Sequence, residues 1–180
     1  MIERFNFLRL TQATALKPFD CDNSDLNEFF FKDAKEHLAH LLAVTYVLED
    51  DNETIAYYSV LNDSIREKDT TNSRYKKILS LIPYVLRIKY KSHPAVKVGR
   101  FAVNKKYQSQ GIGSELMDYI KGNFLDNNKT GCRFIVIDAL NNDRTVKFYK
   151  ENKFDFLTLD DKTDENRLMF FDLITFATHR

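Results

Sequence analysis

Tryptophan is missing from the sequence, and glycine (five), proline (three) and cysteine (two) are scarce. Each scarcity removes a class of protein. Cys21 and Cys132 stand alone, without a CxxC pair or a framework of spacings, so neither a disulfide scaffold nor a cysteine-rich zinc site is encoded. Reduced thiols in a cytoplasmic protein are the simplest reading. Few glycines and prolines argue against a loop-dominated chain. No apolar run approaches the roughly 20 residues that cross a bilayer. The opening MIERFNFLRLTQ has neither an apolar block nor a small-residue cleavage site, so no secretion signal is read and no membrane partner is expected. Repeats, low-complexity tracts and linkers are also missing.

What is present is bulk. The 180 residues are 43% hydrophobic, with fifteen Phe and nine Tyr, which suffices for one buried core and is too short for two ordinary domains. A single domain over residues 1–180 is therefore expected. The net charge of +1 conceals segregation: residues 1–65 balance at −7, residues 66–106 at +10, and residues 107–180 at −2. The middle block either meets an anionic partner or pairs with the acidic block before it.

Periodicity gives the layout. Residues 4–10 alternate as an edge strand. Cys21 to Asp25 offers N-cap oxygens ahead of a helix whose apolar face is Leu26, Phe29, Phe30 and Ala34. Residues 43–49 and 54–61 read as a hairpin around Asp50-Asp51-Asn52. Residues 63–93 read as a partly helical excursion, and residues 95–103 as a strand. Residues 113–125 carry Leu116, Met117, Ile120 and Phe124 on one helical face. Residues 133–140 form an almost unbroken apolar run, as a strand buried on both faces would. Asn141 or Asn142 caps a helix through Glu151, and residues 154–159 and 167–173 close the order as strands. This is an α/β domain on a mixed sheet.

The chemistry concentrates in Val98–Phe124, where a strand runs into the loop Gln108-Ser109-Gln110-Gly111-Ile112-Gly113 and the loop opens a helix. The first turn of a helix has unpaired N–H groups and the positive dipole end, which make an anion site. Gly111 and Gly113 leave room for a phosphate against the backbone, and Gln108 offers an amide donor. The string is neither the dinucleotide fingerprint nor a P-loop, so another phosphate-bearing cofactor is indicated. His37 and His40 share a helix without a third ligand of matching spacing, so no metal is assigned. Asp138 either orients a substrate amine or caps a turn. Cys132 reads as a small core residue rather than an acyl carrier.

Gln108–Gly113 matches the Gln/Arg-x-x-Gly-x-Gly/Ala motif of the GNAT acetyltransferase superfamily, and DALNNDRTVKFYKENKF resembles that family's second signature. The resemblance implies a GNAT-like mixed central sheet, splayed between its fourth and fifth strands and flanked by helices, with acetyl-CoA as cofactor. It implies that the pantetheine arm pairs with Phe101, Ala102 and Val103. The pyrophosphate would lie on Gln108 to Gly113 with Ser114 beside it, and Asn142 would touch the arm. Tyr149 falls at the place of the family's general acid: an amine attacks the thioester carbonyl, a backbone N–H stabilises the oxyanion, and the thiolate receives a proton. Where the family often has Gly before the last Phe of this signature, Asn152-Lys153-Phe154 stands here; Asn also tolerates a left-handed helix end.

Two further stretches, Lys17-Pro18-Phe19-Asp20-Cys21 with SDLNEFFFKDAKEH, and SLIPYVLRIKYKSHPAVKVGRFAV, resemble the GNAT-type toxins of toxin–antitoxin systems. Those toxins acetylate the α-amine of aminoacyl-tRNA. The resemblance implies an aminoacyl-tRNA substrate, an antitoxin partner and room for a homodimer. The basic block supplies Arg74, Lys76, Lys77, Arg87, Lys89, Lys91, Lys105 and Lys106 as phosphate contacts, with Arg87, Lys89 and Lys91 nearest the substrate. A small-molecule or peptide amine is the alternative acceptor, and a non-catalytic acyl-CoA-binding module the alternative of another class.

Overall fold

A computed structural model describes residues 1–83, 86, 91–126, 128 and 131–177. Seven strands form one mixed sheet: β1 (Asn6–Arg9), β2 (Val44–Glu49), β3 (Thr54–Arg66), β4 (Ser92–Val103), β5 (Phe134–Leu140), β6 (Asp155–Phe156) and β7 (Asn166–Asp172). Their order is β1-β2-β3-β4-β5-β7-β6, and β4 and β5 are the parallel pair. β1 lies at an edge, as its short alternating sequence predicts. The chain divides into two compact units: residues 1–61 with 98–120, and residues 62–97 with 121–180. No helix among the described residues is long and apolar enough to cross a membrane.

In the first unit, Asn23 caps α1 (Ser24–Glu28) by accepting from the Leu26 N–H. The helix then widens into a π-helical turn, Phe29–Asp33, before continuing as α2 (Ala34–Ala39). Three consecutive phenylalanines explain the widening. Phe29 and Phe30 are buried and Phe31 points out, and the extra residue of the π-turn lets two neighbours face inward while Ala34 stays on the buried face. They pack with Leu10, Phe19, Val47, Tyr57 and Ala102. The hairpin β2–β3 is closed by the Asp50 carboxylate, which accepts from Asn52 N–H and Glu53 N–H at 2.8 and 2.9 Å.

The second unit centres on Ile65, Ile78, Ala95, Phe134, Val136, Leu157 and Phe170. β3 runs five residues past its expected end, because Ile65 buries beyond the polar Asn62-Asp63-Ser64 that hides the strand in sequence. The excursion contains α3 (Asn72–Ser80), with Tyr75 and Ile78 inward. α4 (Ile112–Asp126) begins in the first unit and ends in the second. α5 (Asp143–Glu151) follows β5, and α6 (Leu173–Ala177) follows β7. The closing strand expected over 154–159 shrinks to two residues, paired with Met169 and Phe170 of β7.

Burial holds the phenols of Tyr57, Tyr58 and Tyr149 above the ordinary tyrosine range. Above about pH 10 the unfolded chain loses these protons while the folded chain keeps them. Stability should therefore be unaffected by these groups below that pH and fall above it, by about 1.4 kcal/mol per pH unit for each group. Urea unfolding from pH 9 to 11 measures this; a flat profile would mean that the phenols reach water.

Candidate active site

The geometry of the loop before α4 starts where β4 ends. Ala102 is buried in the first unit's core, which leaves Phe101 and Val103 half-exposed on the opposite side of the strand. Asn104 then turns the chain: its N–H donates to the Ile55 carbonyl at 2.8 Å and its amide to the Thr54 carbonyl at 3.0 Å, while its Oδ1 accepts from Lys106 N–H. Beyond it, Ser109 (φ 60°) and Gly111 (φ 86°) both lie in the left-handed region. Left-handed residues next to a helix start turn N–H groups toward one concave side, which is how backbone binds anions. A β-carbon at Gly111 would meet nothing within 4 Å. That glycine is therefore required by its dihedral, and the space beside it is open. Gly113 is already helical, in the first turn of a fifteen-residue helix. The loop thus fits a diphosphate: exposed left-handed backbone, room beside Gly111 and a helix N-terminus.

Gln108 turns its amide toward two main-chain carbonyls. Its Nε2 donates to the Cys21 carbonyl at 3.1 Å and to the Val103 carbonyl at 2.9 Å, so the amide braces the loop. Gln110 likewise donates to the Lys106 carbonyl. Ser114 is exposed, and its N–H returns to the Gly111 carbonyl at 3.0 Å.

Charge around the loop is largely compensated. Lys105 pairs with Asp20 at 2.7 Å and Asp22 at 3.3 Å, and Lys106 with Glu53 at 2.6 Å. The Lys105 hydrogen bond holds the Asp20 carboxyl well below the usual carboxylate range, and Asp20 in turn raises the lysine. For these two cations the pairing with the acidic N-terminal block is the arrangement found. Lys91 is exposed, whereas Arg87 and Lys89 lie outside the described residues.

The second unit holds the other expected residues. Asn142 caps α5, its Oδ1 accepting from Thr145 N–H at 2.9 Å. Two turns on, Tyr149 is buried edge-on against Phe148 and Phe154, with ring centroids 5.1 and 5.6 Å away. Burial alone raises its pKa, so the phenol carries its proton at neutral pH. After α5, the left-handed residue is Lys153 (φ 67°) rather than Asn152. Asp138 is ion-paired with Lys97, a partner the sequence pattern does not suggest. Cys132 is buried, donates to the Phe134 carbonyl and has its thiol pushed up to about 11 by burial, which makes it a poor acyl carrier. His37 packs edge-on against Phe29.

Sequence reasoning overlooked Asn27. Its Oδ1 accepts from Cys21 N–H at 3.0 Å and its Nδ2 donates to Asp20 at 2.9 Å. The only trace in the sequence is a density of short polar residues between Asp20 and Asn27.

Comparison with known proteins identifies the domain. The model of the acetyltransferase (GNAT) domain matches residues 42–155, more than half of the chain. Among solved structures, a tyrosine-to-phenylalanine mutant of the toxin AtaT bound to the C-terminus of the antitoxin AtaR is 20% identical over 97% of this chain and 96% of its own, with a TM-score of 0.75. AtaT complexed with acetyl-methionyl-tRNAfMet is 23% identical over 97% of this chain and 98% of its own, at 0.72. A mutant of KacT is 20% identical over 98% of this chain and 99% of its own, at 0.75. With the domain model spanning the loop, α4 and α5, this chain belongs to the GNAT acetyltransferases, enzymes that use acetyl-CoA.

Proposed function

We infer that this chain moves acetyl from acetyl-CoA to the α-amine of an aminoacyl-tRNA, with loop 108–113 holding the cofactor's diphosphate. The observation that carries the cofactor site is the pair of left-handed residues, Ser109 and Gly111, directly ahead of α4. Bound acetyl-CoA supplies an activated acetyl thioester. The first N–H groups of α4, which have no acceptor within the helix, offset the diphosphate charge together with the helix dipole. Phe101, Ala102 and Val103 offer main-chain groups to the cofactor arm. Tyr149 holds a proton at its Oη that the departing thiolate needs, and the raised pKa keeps it there.

The acceptor reading rests on the likeness to AtaT and on charge in the second unit. Arg74, Lys77 and Lys150 converge on the single carboxylate of Asp155, at 3.6, 3.1 and 2.7 Å, with Lys76 exposed on α3, Lys147 exposed on α5 beside Glu151, and Lys153 exposed in the turn after it. Cations outnumber acids there, which suits an RNA backbone. Among the described residues this adds α3 and the end of α5 to the exposed Lys91 as basic surface, while Lys105 and Lys106 are engaged with Asp20, Asp22 and Glu53. The same reading brings an antitoxin partner with it.

Three outcomes test the proposal. Gly111→Asp sets a charged side chain and a strained dihedral against the diphosphate, so calorimetric titration of the folded variant should show acetyl-CoA binding weakened several-fold to hundreds-fold; wild-type affinity would remove the cofactor site. Tyr149→Phe keeps the aromatic packing and loses only the proton, so acetyl-CoA affinity should hold while kcat falls by about 10²–10⁴; an unchanged kcat would return Tyr149 to the core. Lys76→Gln with Lys153→Gln should flatten the salt dependence of tRNA binding by roughly 0.7–0.9 in log–log slope per lost contact, and leave transfer to a short amine unchanged. An unaltered slope would exclude this surface.

A further inference from the structure

The segment 20–27 reaches the cofactor loop through one amide. Cys21 has both of its main-chain groups fixed by side chains: its N–H donates to Asn27 Oδ1 at 3.0 Å, and its carbonyl accepts from Gln108 Nε2 at 3.1 Å. Asn27 is in turn oriented by Asp20, whose Oδ1 accepts from Asn27 Nδ2 and from Asp22 N–H, both at 2.9 Å. The tight turn is completed by Asp22, at φ 61°, and by the Asp20 carbonyl, which accepts from Lys105 N–H at 2.8 Å. Phe19 holds the near end in the core, against Phe30 at 5.2 Å and Tyr57 at 5.4 Å. Asn27 itself is rooted in α1, whose cap is Asn23.

We propose that Asp20 and Asn27 are positioning residues for acetyl-CoA, setting the shape of loop 108–113 through Cys21 and Gln108 without touching the cofactor. The physical reason is directional. Gln108 must present its two N–H groups to two carbonyls on separate segments, Cys21 and Val103, and the Cys21 carbonyl is aimed at it by the turn that Asn27 holds through the Cys21 N–H, together with Lys105 N–H on the Asp20 carbonyl. Released from Asn27, the Cys21 carbonyl swings, Gln108 loses one acceptor, and the left-handed pair that follows is no longer fixed relative to α4. The cost appears as cofactor affinity, because a preset loop spares binding the entropy of ordering it. This inference rests on the reading of loop 108–113 as the diphosphate site.

A double-mutant cycle on the full chain tests it. Asn27→Ala, which releases Cys21, should raise the Kd for acetyl-CoA by about tenfold, and Gln108→Met, which removes both hydrogen bonds that brace the loop, by at least as much. The double variant should lose no more than Gln108→Met alone, since both act through one link. In the free protein, amide exchange across residues 105–113 should quicken in Asn27→Ala. Strictly additive losses, which general destabilisation would give, or wild-type affinity with unaltered exchange in Asn27→Ala, would overturn the proposal. Gly111→Asp in the same series separates the two readings. If it binds acetyl-CoA as wild type does, the diphosphate site is wrong, and the exchange of the free loop still decides whether Asn27 sets its shape.

Discussion

A loop that binds an anion through its own N–H groups cannot use those groups to hold its shape. In this chain the shape is held from outside, by side-chain amides directed at carbonyls. Asn104 ties the end of β4 to Thr54, Gln108 ties the loop to Cys21 and Val103, and Gln110 ties it to Lys106. Amides suit this task because they supply donors without adding charge beside the loop proposed to hold phosphate. The left-handed residues then turn the remaining backbone toward the helix start, and the glycine among them is the one whose dihedral demands it.

The same economy governs the cations next to the loop. Lys105 and Lys106 stand close to it in sequence, but Asp20, Asp22 and Glu53 take up their charge. They tie segments of the first unit together, and under the proposed reading the backbone supplies the donors for phosphate. Around Asp155 the balance is the reverse: one carboxylate gathers three cations and leaves positive charge in excess. The two environments could not be told apart by charge counting, since Arg74, Lys77, Lys105 and Lys106 all belong to one basic stretch.

Much of the architecture was legible in the sequence because it depends on local periodicity. The edge strand, the hairpin at Asp50, the Asn23 cap, α4 and α5 all lie where alternation, capping residues or a helical apolar stripe place them. The continuation of β3 was hidden by Asn62-Asp63-Ser64, polar residues that a strand admits once Ile65 is buried beyond them. The loop was legible from its glycines, but the roles within it were not. Ser109 takes a left-handed dihedral that its identity does not announce, and Gln108 is directed by carbonyls that only the folded chain brings near. Asn27 and the Lys97–Asp138 pair escaped for the same reason: their partners lie on other elements, and no spacing rule joins them.

The π-turn at Phe29–Asp33 carries a consequence for how this chain tolerates change in length. An α-helix that gains a residue normally rotates everything after it by about 100°, moving its apolar stripe off the core. Here the additional residue is absorbed in one widened turn, where the Ala34 N–H reaches back to the Phe29 carbonyl, so the faces before and after stay aligned. Loss of one residue within this turn would let the helix close to regular geometry with Leu26 and Ala34 still facing inward, giving up one of the three phenylalanines. The same loss anywhere else in α1 or α2 would rotate one face away from Tyr57. The helix thus has a single place where a deletion or insertion changes its composition without changing its register.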